Sequence, residues 1–558
     1  MNGSELMNDK VVTLHWITAL SFFAITYVAI FLSLSSAVWI PTAHHDNTRY
    51  FRSFDTNSKS SCTNDGQYGW LHLIGRPLTA KLECQVFKHA GSLHDLNNMR
   101  IGVIAILALG ASALGALLYR FGFDILSSWL TAVAIFILPG AQNAVFMTNF
   151  PNALAALCSM LAYWCLEWGP NINKYSYLMP ILGAMFLLFI AMLMYPALAF
   201  VFLWGTLAKV LCYHSGPTRQ AISIIVRDGA VLFSSGLAYL LLRDLFIPNM
   251  FRIHLDSVPD AFKPDLSISA VVGKLPFLFD KAIPTATDLW FFDNELFGEC
   301  VVSLFWVAIF MSVVLKGRGD GLSRYNLILK FAIVIGLILA SSIPLVVNKQ
   351  PFLHQRLLWP TMGAVLIATL GVMTVAFITV FQPRGDMVIA FRRSICALVG
   401  IGSLIAASYT TTLNVWNTNM EMEFVRGELA RSDITPRRIH FVRSIDNGIG
   451  FNTLKSFSDE FNKKTTDFKQ DIRDFVSLAY MGYSSDYKTS IIECDFSVDS
   501  CEEVVPKNSI ILSISEYGEK FCMSQNMVVV DLNILVRATR TGDPKLISTV
   551  HLPKCHGK

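Results

Sequence analysis

Charge is scarce in this chain. Asp, Glu, Lys and Arg make up 15% of its 558 residues, against 53% hydrophobic, where soluble domains carry about 25% charged residues. That shortage excludes an ordinary soluble protein. Cys/His spacings of the zinc-binding kind are missing too, as is any internal repeat. The centres of the apolar runs are almost free of ionisable residues. Transporters place charges near the bilayer midplane and often show repeats, so a transporter is disfavoured. Nothing reads as a cleavable signal, because the first apolar run is too long and no small-residue cleavage site precedes the polar loop. That run is expected to be retained as a helix. Basic residues sit at run ends, where membrane topology explains them, and nucleic-acid binding has no support.

What the chain does have is a series of apolar runs of about 20 residues, the length that spans a hydrocarbon core as a helix. They lie near 11–38, 101–119, 125–140, 152–168, 177–194, 196–212, 226–246, 298–315, 325–347, 357–381 and 394–414. The expectation is a polytopic α-helical membrane protein with about eleven spans. Lys and Arg fix its orientation. With the N-terminus inside, the inner loops hold Arg120, Lys174, Arg219, Arg227, Lys316, Arg318, Arg324, Arg384, Arg392 and Arg393, whereas the outer turns at 141–149 and Tyr195 hold none. The N-terminus is then cytoplasmic, and an odd number of spans places the C-terminus outside.

This arrangement divides the chain into a transmembrane module, 1–414, and an outer C-terminal domain, 415–558. The module carries outer loops at 41–100 and 247–297. The tail is long enough to be a domain of its own. It mixes a charged helical stretch, 459–475, with short β-type runs at 438–443, 509–515 and 527–532, which predicts a small α/β fold. Cysteines outside the helices fall in even sets on the outer side: Cys62 and Cys84 in the first loop, then Cys494, Cys501, Cys522 and Cys555 in the tail. Even sets suit an oxidising compartment, and the sequence leaves their pairing open.

The candidate chemistry lies on the outer side. Asp46 follows the first helix, and Arg49, three residues on, shares its face on a helical turn. A carboxylate there can act as a base toward a hydroxyl, while the arginine holds an anionic leaving group such as a phosphate. A solvated interfacial salt bridge is the competing reading. Asp55 and Asp65 are rival carboxylates among turn-forming neighbours. Residues 68–89 read as an amphipathic interfacial helix, broken at Gly75-Arg76-Pro77, which aims Arg76 or lets it snorkel to lipid phosphate. His354, Gln355 and Arg356 stand at the entrance of a late helix, with Arg356 a second phosphate ligand or a lipid contact. Gln142 and Asn143 follow Pro139-Gly140 in another outer turn that can converge on the first loop. The middle loop sets Asp280, Asp288 and Asp293 among Phe and Trp residues, a pattern that suits sugar binding and that an interfacial aromatic belt explains as well.

An acid just after the first helix, an Arg three residues later and a Trp…Gly-Arg-Pro-Leu segment leading to the second helix resemble the GT-C glycosyltransferases. The similarity is greatest to the phage-type O-antigen glucosyltransferases of bacterial inner membranes. Tyr195-Pro196-Ala197, Gln355-Arg356 and an outward C-terminal domain agree with it. The resemblance implies a polyprenyl-phosphate-linked sugar donor, a lipopolysaccharide O-antigen or related glycan acceptor, a periplasmic site, and an outer-loop carboxylate as base. Asp46 occupies the family's first acidic position and Asn47 the second. Since the family often has two acids there, a single acid fits a metal-free reaction with one base and no cofactor. Asn47, Arg49, Arg76, His354, Gln355 and Arg356 are then the donor-phosphate and substrate-binding candidates. An O-antigen or capsule polymerase and a lipid-linked sugar flippase are the alternatives, and the large outer tail argues against the polymerase.

Overall fold

The structure is a computed structural model. It describes residues 16–40, 66–88, 93–168, 178–212, 218–246, 265, 267–287, 296–314, 324–347, 349, 355–381 and 383–431, with three short strands farther on. Within the described residues the predicted apolar runs are helical. In chain order the helices are α1 (Trp16–Leu34), α2 (Ser36–Trp39), α3 (Gly66–Leu73), α4 (Pro77–Phe87), α5 (Leu93–Arg120), α6 (Ile125–Phe136), α7 (Pro139–Phe146), α8 (Phe150–Trp168) and α9 (Leu178–Met194). A 3-10 segment, Pro196–Val201, leads into α10 (Phe202–Cys212), followed by α11 (Thr218–Leu241). The middle loop contains α12 (Ile268–Gly273), α13 (Leu275–Phe277) and α14 (Ile283–Thr287). Then come α15 (Leu296–Val314), α16 (Arg324–Ser341), α17 (Ile343–Val346), α18 (Gln355–Phe381) and α19 (Gly385–Arg431).

Among the described residues four helices are long and apolar enough to cross a membrane, five if α6 and α7 form one bent span. The pair is bent by 56° where Pro139 starts a new helix, because proline cannot donate to the preceding turn. Leu20, Leu32, Phe186, Phe233, Phe310, Leu398 and Ile405 are exposed on the helix surfaces. Apolar side chains facing outward around a bundle whose backbone hydrogen bonds are met internally are what a lipid solvent requires. The chain is a multi-pass membrane protein.

The buried centre is aromatic. Phe136, Trp204 and Trp359 meet edge to face at ring separations of 5.7–6.1 Å. The Trp359 indole donates to Ile135 O at 3.1 Å and the Trp204 indole to Pro360 O at 2.7 Å, so both rings bury their area with the N–H satisfied. Gly140 lets α18 approach: a Cβ there would sit 2.4 Å from Trp359 Cβ and 2.9 Å from Gln355 O.

Three helices run well beyond their apolar runs, and α11 starts at Thr218 rather than 226. α5 begins at Leu93 rather than 101, since Asn97 and Arg100 are polar but buried on its inward face. α19 has 47 residues, about 70 Å at 1.5 Å per residue, and continues past 414 to Arg431. At one end Arg393 and Arg392 bond Asp124 Oδ1 and Gly122 O. Near its middle, Thr410 and Thr411 bond Gln142. The last helix therefore returns to the end of the bundle where α7 lies. Beyond it, β1 (Arg438–Val442), β2 (Ser509–Ser513) and β3 (Val529–Asp531) form a parallel sheet in that order, each within one of the predicted β-type runs.

Candidate functional site

The interfacial segment folds as its sequence suggests. α3 ends at Leu73, Gly75 takes φ +80°, and Pro77 opens α4. A left-handed conformation is open to glycine without the Cβ clash that other residues meet. Here the position is also crowded, because a Cβ would lie 2.7 Å from Tyr239 Oη and 3.0 Å from Arg243 Cδ. The Tyr239 hydroxyl donates to Gly75 O at 3.1 Å, and Thr79 donates to Met194 O at 2.5 Å. One hydrogen bond pins the turn to α11, and the other pins α4 to the residue before Tyr195.

Arg76 is thereby aimed. Its guanidinium carbon lies 4.1 Å from the centre of the Tyr195 ring. Arg356, in the first turn of α18, brings its guanidinium to 5.8 Å from the same ring. Residues 76, 195 and 356, far apart in sequence, thus form one cationic cluster. Each cation gains from the ring's negative face. Gln355 is buried beside Gly140.

The remaining predicted residues are Asp46, Asn47, Arg49 and His354, and the rival acids Asp55 and Asp65; all lie outside the described residues. Of the residues that the sequence singles out, the structure brings together Arg76, Gln355 and Arg356. The middle loop docks at the same end: the Lys274 ammonium donates to Val346 O at 3.0 Å and the Asp265 N–H to Val347 O at 2.8 Å.

Several polar groups at this end escaped sequence reasoning. Arg100 is fully buried and donates to Ala37 O at 2.8 Å, Asn97 Oδ1 at 3.0 Å and Phe146 O at 3.3 Å, tying α2, α5 and α7 together. Glu83 is buried on α4. Burial pushes the Tyr68 phenol well above its usual range, and the charge of Glu83 adds to that. Arg100 sits at the rim of an apolar run, where it reads as a loop charge; nothing local distinguishes it. Cys84 is disulfide-bonded. Among the described residues no group of three His, Cys, Asp or Glu side chains is placed to hold a metal ion.

The opposite end carries a second polar cluster. Glu167 accepts from Lys209 at 2.6 and 2.7 Å and from Arg227 at 2.9 Å. Asp228 accepts from Arg227 at 2.7 Å and Thr206 at 2.9 Å, and Arg120 donates to Glu167 O at 2.7 Å. Glu167 and Asp228 are buried. The apolar helices therefore do contain charges, and the described ones in this cluster are paired with one another.

The model of the glucosyl transferase GtrII family matches residues 51–375, more than half of the chain. No curated protein sequence matches it. Among solved structures, that of ArnT from Cupriavidus metallidurans in the apo state aligns with 94% of this chain and 91% of that chain, at 12% identity and a TM-score of 0.37. A score that low carries no argument.

Proposed function

Given that the chain belongs to the GtrII glucosyl transferase family, we propose that it moves a hexosyl group, glucosyl first, from a polyprenyl-phosphate-linked donor to an O-antigen or related surface glycan. The placing of Arg76 and Arg356 on one Tyr195 ring is the observation that carries the reading. Planar guanidiniums match phosphate oxygens with paired N–H donors, and a membrane-level position suits a phosphate whose tail lies in lipid.

In this reading Asp46 takes the proton from an acceptor hydroxyl. The acceptor oxygen forms a bond to the anomeric carbon as the bond from that carbon to the phosphate oxygen breaks. The electron pair leaves with the polyprenyl phosphate, which Arg76 and Arg356, with Arg49, stabilise. Gln355 and His354 border the phosphate, and Asn47 lies beside the base. One carboxylate next to an amide fits a metal-free step. The proposed setting is the bacterial inner membrane, in a GT-C-like arrangement of about eleven spans, with the N-terminus cytoplasmic and the site periplasmic. An α/β domain over 415–558 would cover the site and select the acceptor. The disulfide at Cys84 supports an oxidising compartment on this side.

The test is release of undecaprenyl phosphate from undecaprenyl-phosphate glucose by protein in lipid, with and without an O-antigen acceptor. Acceptor-dependent release that Asp46→Asn abolishes is the expected result. Release unaffected by Asp46→Asn would move the base to another carboxylate. No release with glucose or any other lipid-linked sugar would overturn the reading.

A further inference from the structure

We infer that Asn143 and Asn152 form the sugar-binding half of the Arg76–Arg356 site, their carboxamides holding hydroxyls of an uncharged hexose on the donor. The inference rests on the transfer reading above. Asn143 is 0% and Asn152 1% exposed. In each, neither the side-chain nitrogen nor the side-chain oxygen has a hydrogen-bond partner among the described residues. Native structures rarely leave a buried amide in that condition without a use for it. Their neighbours differ. Gln142 donates to Ile137 O at 2.9 Å and accepts from Thr410 and Thr411, and Asn149 Oδ1 accepts from the Asn152 backbone N–H at 3.1 Å.

The two amides lie on different elements, α7 and α8, and each element is joined to the cationic cluster by contacts of its own. Asn143 is three residues beyond Gly140, on the same face of α7, with the two Cβ positions about 5–6 Å apart. Gly140 is the position whose Cβ would lie 2.9 Å from Gln355 O, and Arg356 is the next residue. Asn152 precedes Ser159 by about two turns on one face of α8. The Ser159 hydroxyl donates to Leu198 O at 3.0 Å, and the Leu198 N–H donates to Tyr195 O at 2.9 Å. Asn143 thus sits on the helix that packs against Gln355, and Asn152 on the helix that Ser159 bonds to the segment after Tyr195. The turn joining α7 and α8 contains Thr148 at φ +54°, a conformation that costs a β-branched residue energy and recurs at functional sites.

A carboxamide offers two N–H donors and an acceptor oxygen, matching hydroxyls that both give and take hydrogen bonds. Being neutral, the pair gives no counter-charge to an amino sugar, and the neighbouring guanidiniums repel its ammonium.

Asn143→Leu and Asn152→Leu keep the volume and remove the hydrogen-bonding groups. Two readouts are needed: binding of undecaprenyl phosphate, which has no sugar, and kcat/KM with undecaprenyl-phosphate glucose. Each substitution is expected to lower kcat/KM on the order of ten- to a hundredfold while leaving undecaprenyl phosphate affinity unchanged. Unchanged kcat/KM would overturn the subsite. A parallel loss of undecaprenyl phosphate binding would also overturn it, by showing that the amides support the fold or the phosphate. If the parent protein bound no undecaprenyl phosphate, the transfer reading itself would fall, and the subsite with it.

Discussion

At the scale of single residues, Gly75 and Arg76 show how backbone conformation sets a cation's aim. Gly75→Ala must place a Cβ at φ +80° against Tyr239 Oη. Positive φ at a residue other than glycine costs about 1–3 kcal/mol. Thermal unfolding is expected to show that loss, and Tyr239→Phe in the same background is expected to recover part of it, since it removes the crowding hydroxyl. A combined variant no more stable than Gly75→Ala would mean that backbone strain alone sets the cost. Arg76→Lys keeps the charge but loses the planar fork. Charge-assisted hydrogen bonds contribute about 1.5–3 kcal/mol, so donor kcat/KM should fall on the order of tenfold or more. Equal efficiency in the lysine variant would leave Arg76 as a lipid contact.

At the scale of elements, the helices are clamped at both ends by polar groups. Glu167, Lys209, Arg227 and Asp228 join α8, α10 and α11. Replacing one partner of a buried pair strands the other, at about 3–5 kcal/mol. Glu167→Gln is therefore expected to lower the unfolding temperature sharply, whereas an exposed Glu-to-Gln change would not. Asp124 caps α6 and receives Arg393 from α19. Burial by itself raises its carboxyl pKa, but hydrogen bonds from Ser127 and Arg393 outweigh burial and hold the carboxyl below its ordinary range. The folded value is below the unfolded value of about 3.9. The stabilisation is thus present above that pH and is lost as pH falls through the folded value. Arg393 is 52% exposed, and water screens part of its effect. Asp124→Asn should flatten the acid limb of a stability-against-pH curve. An acid limb identical to the parent's would show that the cap contributes nothing there.

At the scale of the whole molecule, the direction of α19 decides where the tail starts. Its contacts with Asp124 near its start and with Gln142 at its middle run it from the end that holds Asp124 toward the end that holds α7, and its last 20 residues continue in that direction. A reporter that is active only outside the cytoplasm, fused after residue 431, should therefore be active, and one fused after residue 384 should be silent. The reverse pattern would invert the proposed orientation and remove the site from the periplasm.

The sequence by itself determined the class of the molecule, most helix positions and the break at Gly75-Arg76-Pro77. These follow from apolar length, turn chemistry and proline, all of which act within a few residues. Arg76 was legible as a candidate because a charge beside a membrane-level backbone break stands out locally, and Gln355 and Arg356 because they precede a late helix on the outer side, as the family resemblance expects. Tertiary structure alone decided that Arg76 and Arg356 share the Tyr195 ring, that Arg100 is buried rather than in a loop, and that Glu167 meets Lys209 and Arg227. It also decided which of three neighbouring amides, Gln142, Asn143 and Asn149, lacks a side-chain partner. Partnership of that kind depends on which helices pack together, and the indoles of Trp204 and Trp359 and the bare backbone at Gly140 set that packing across more than two hundred residues of chain.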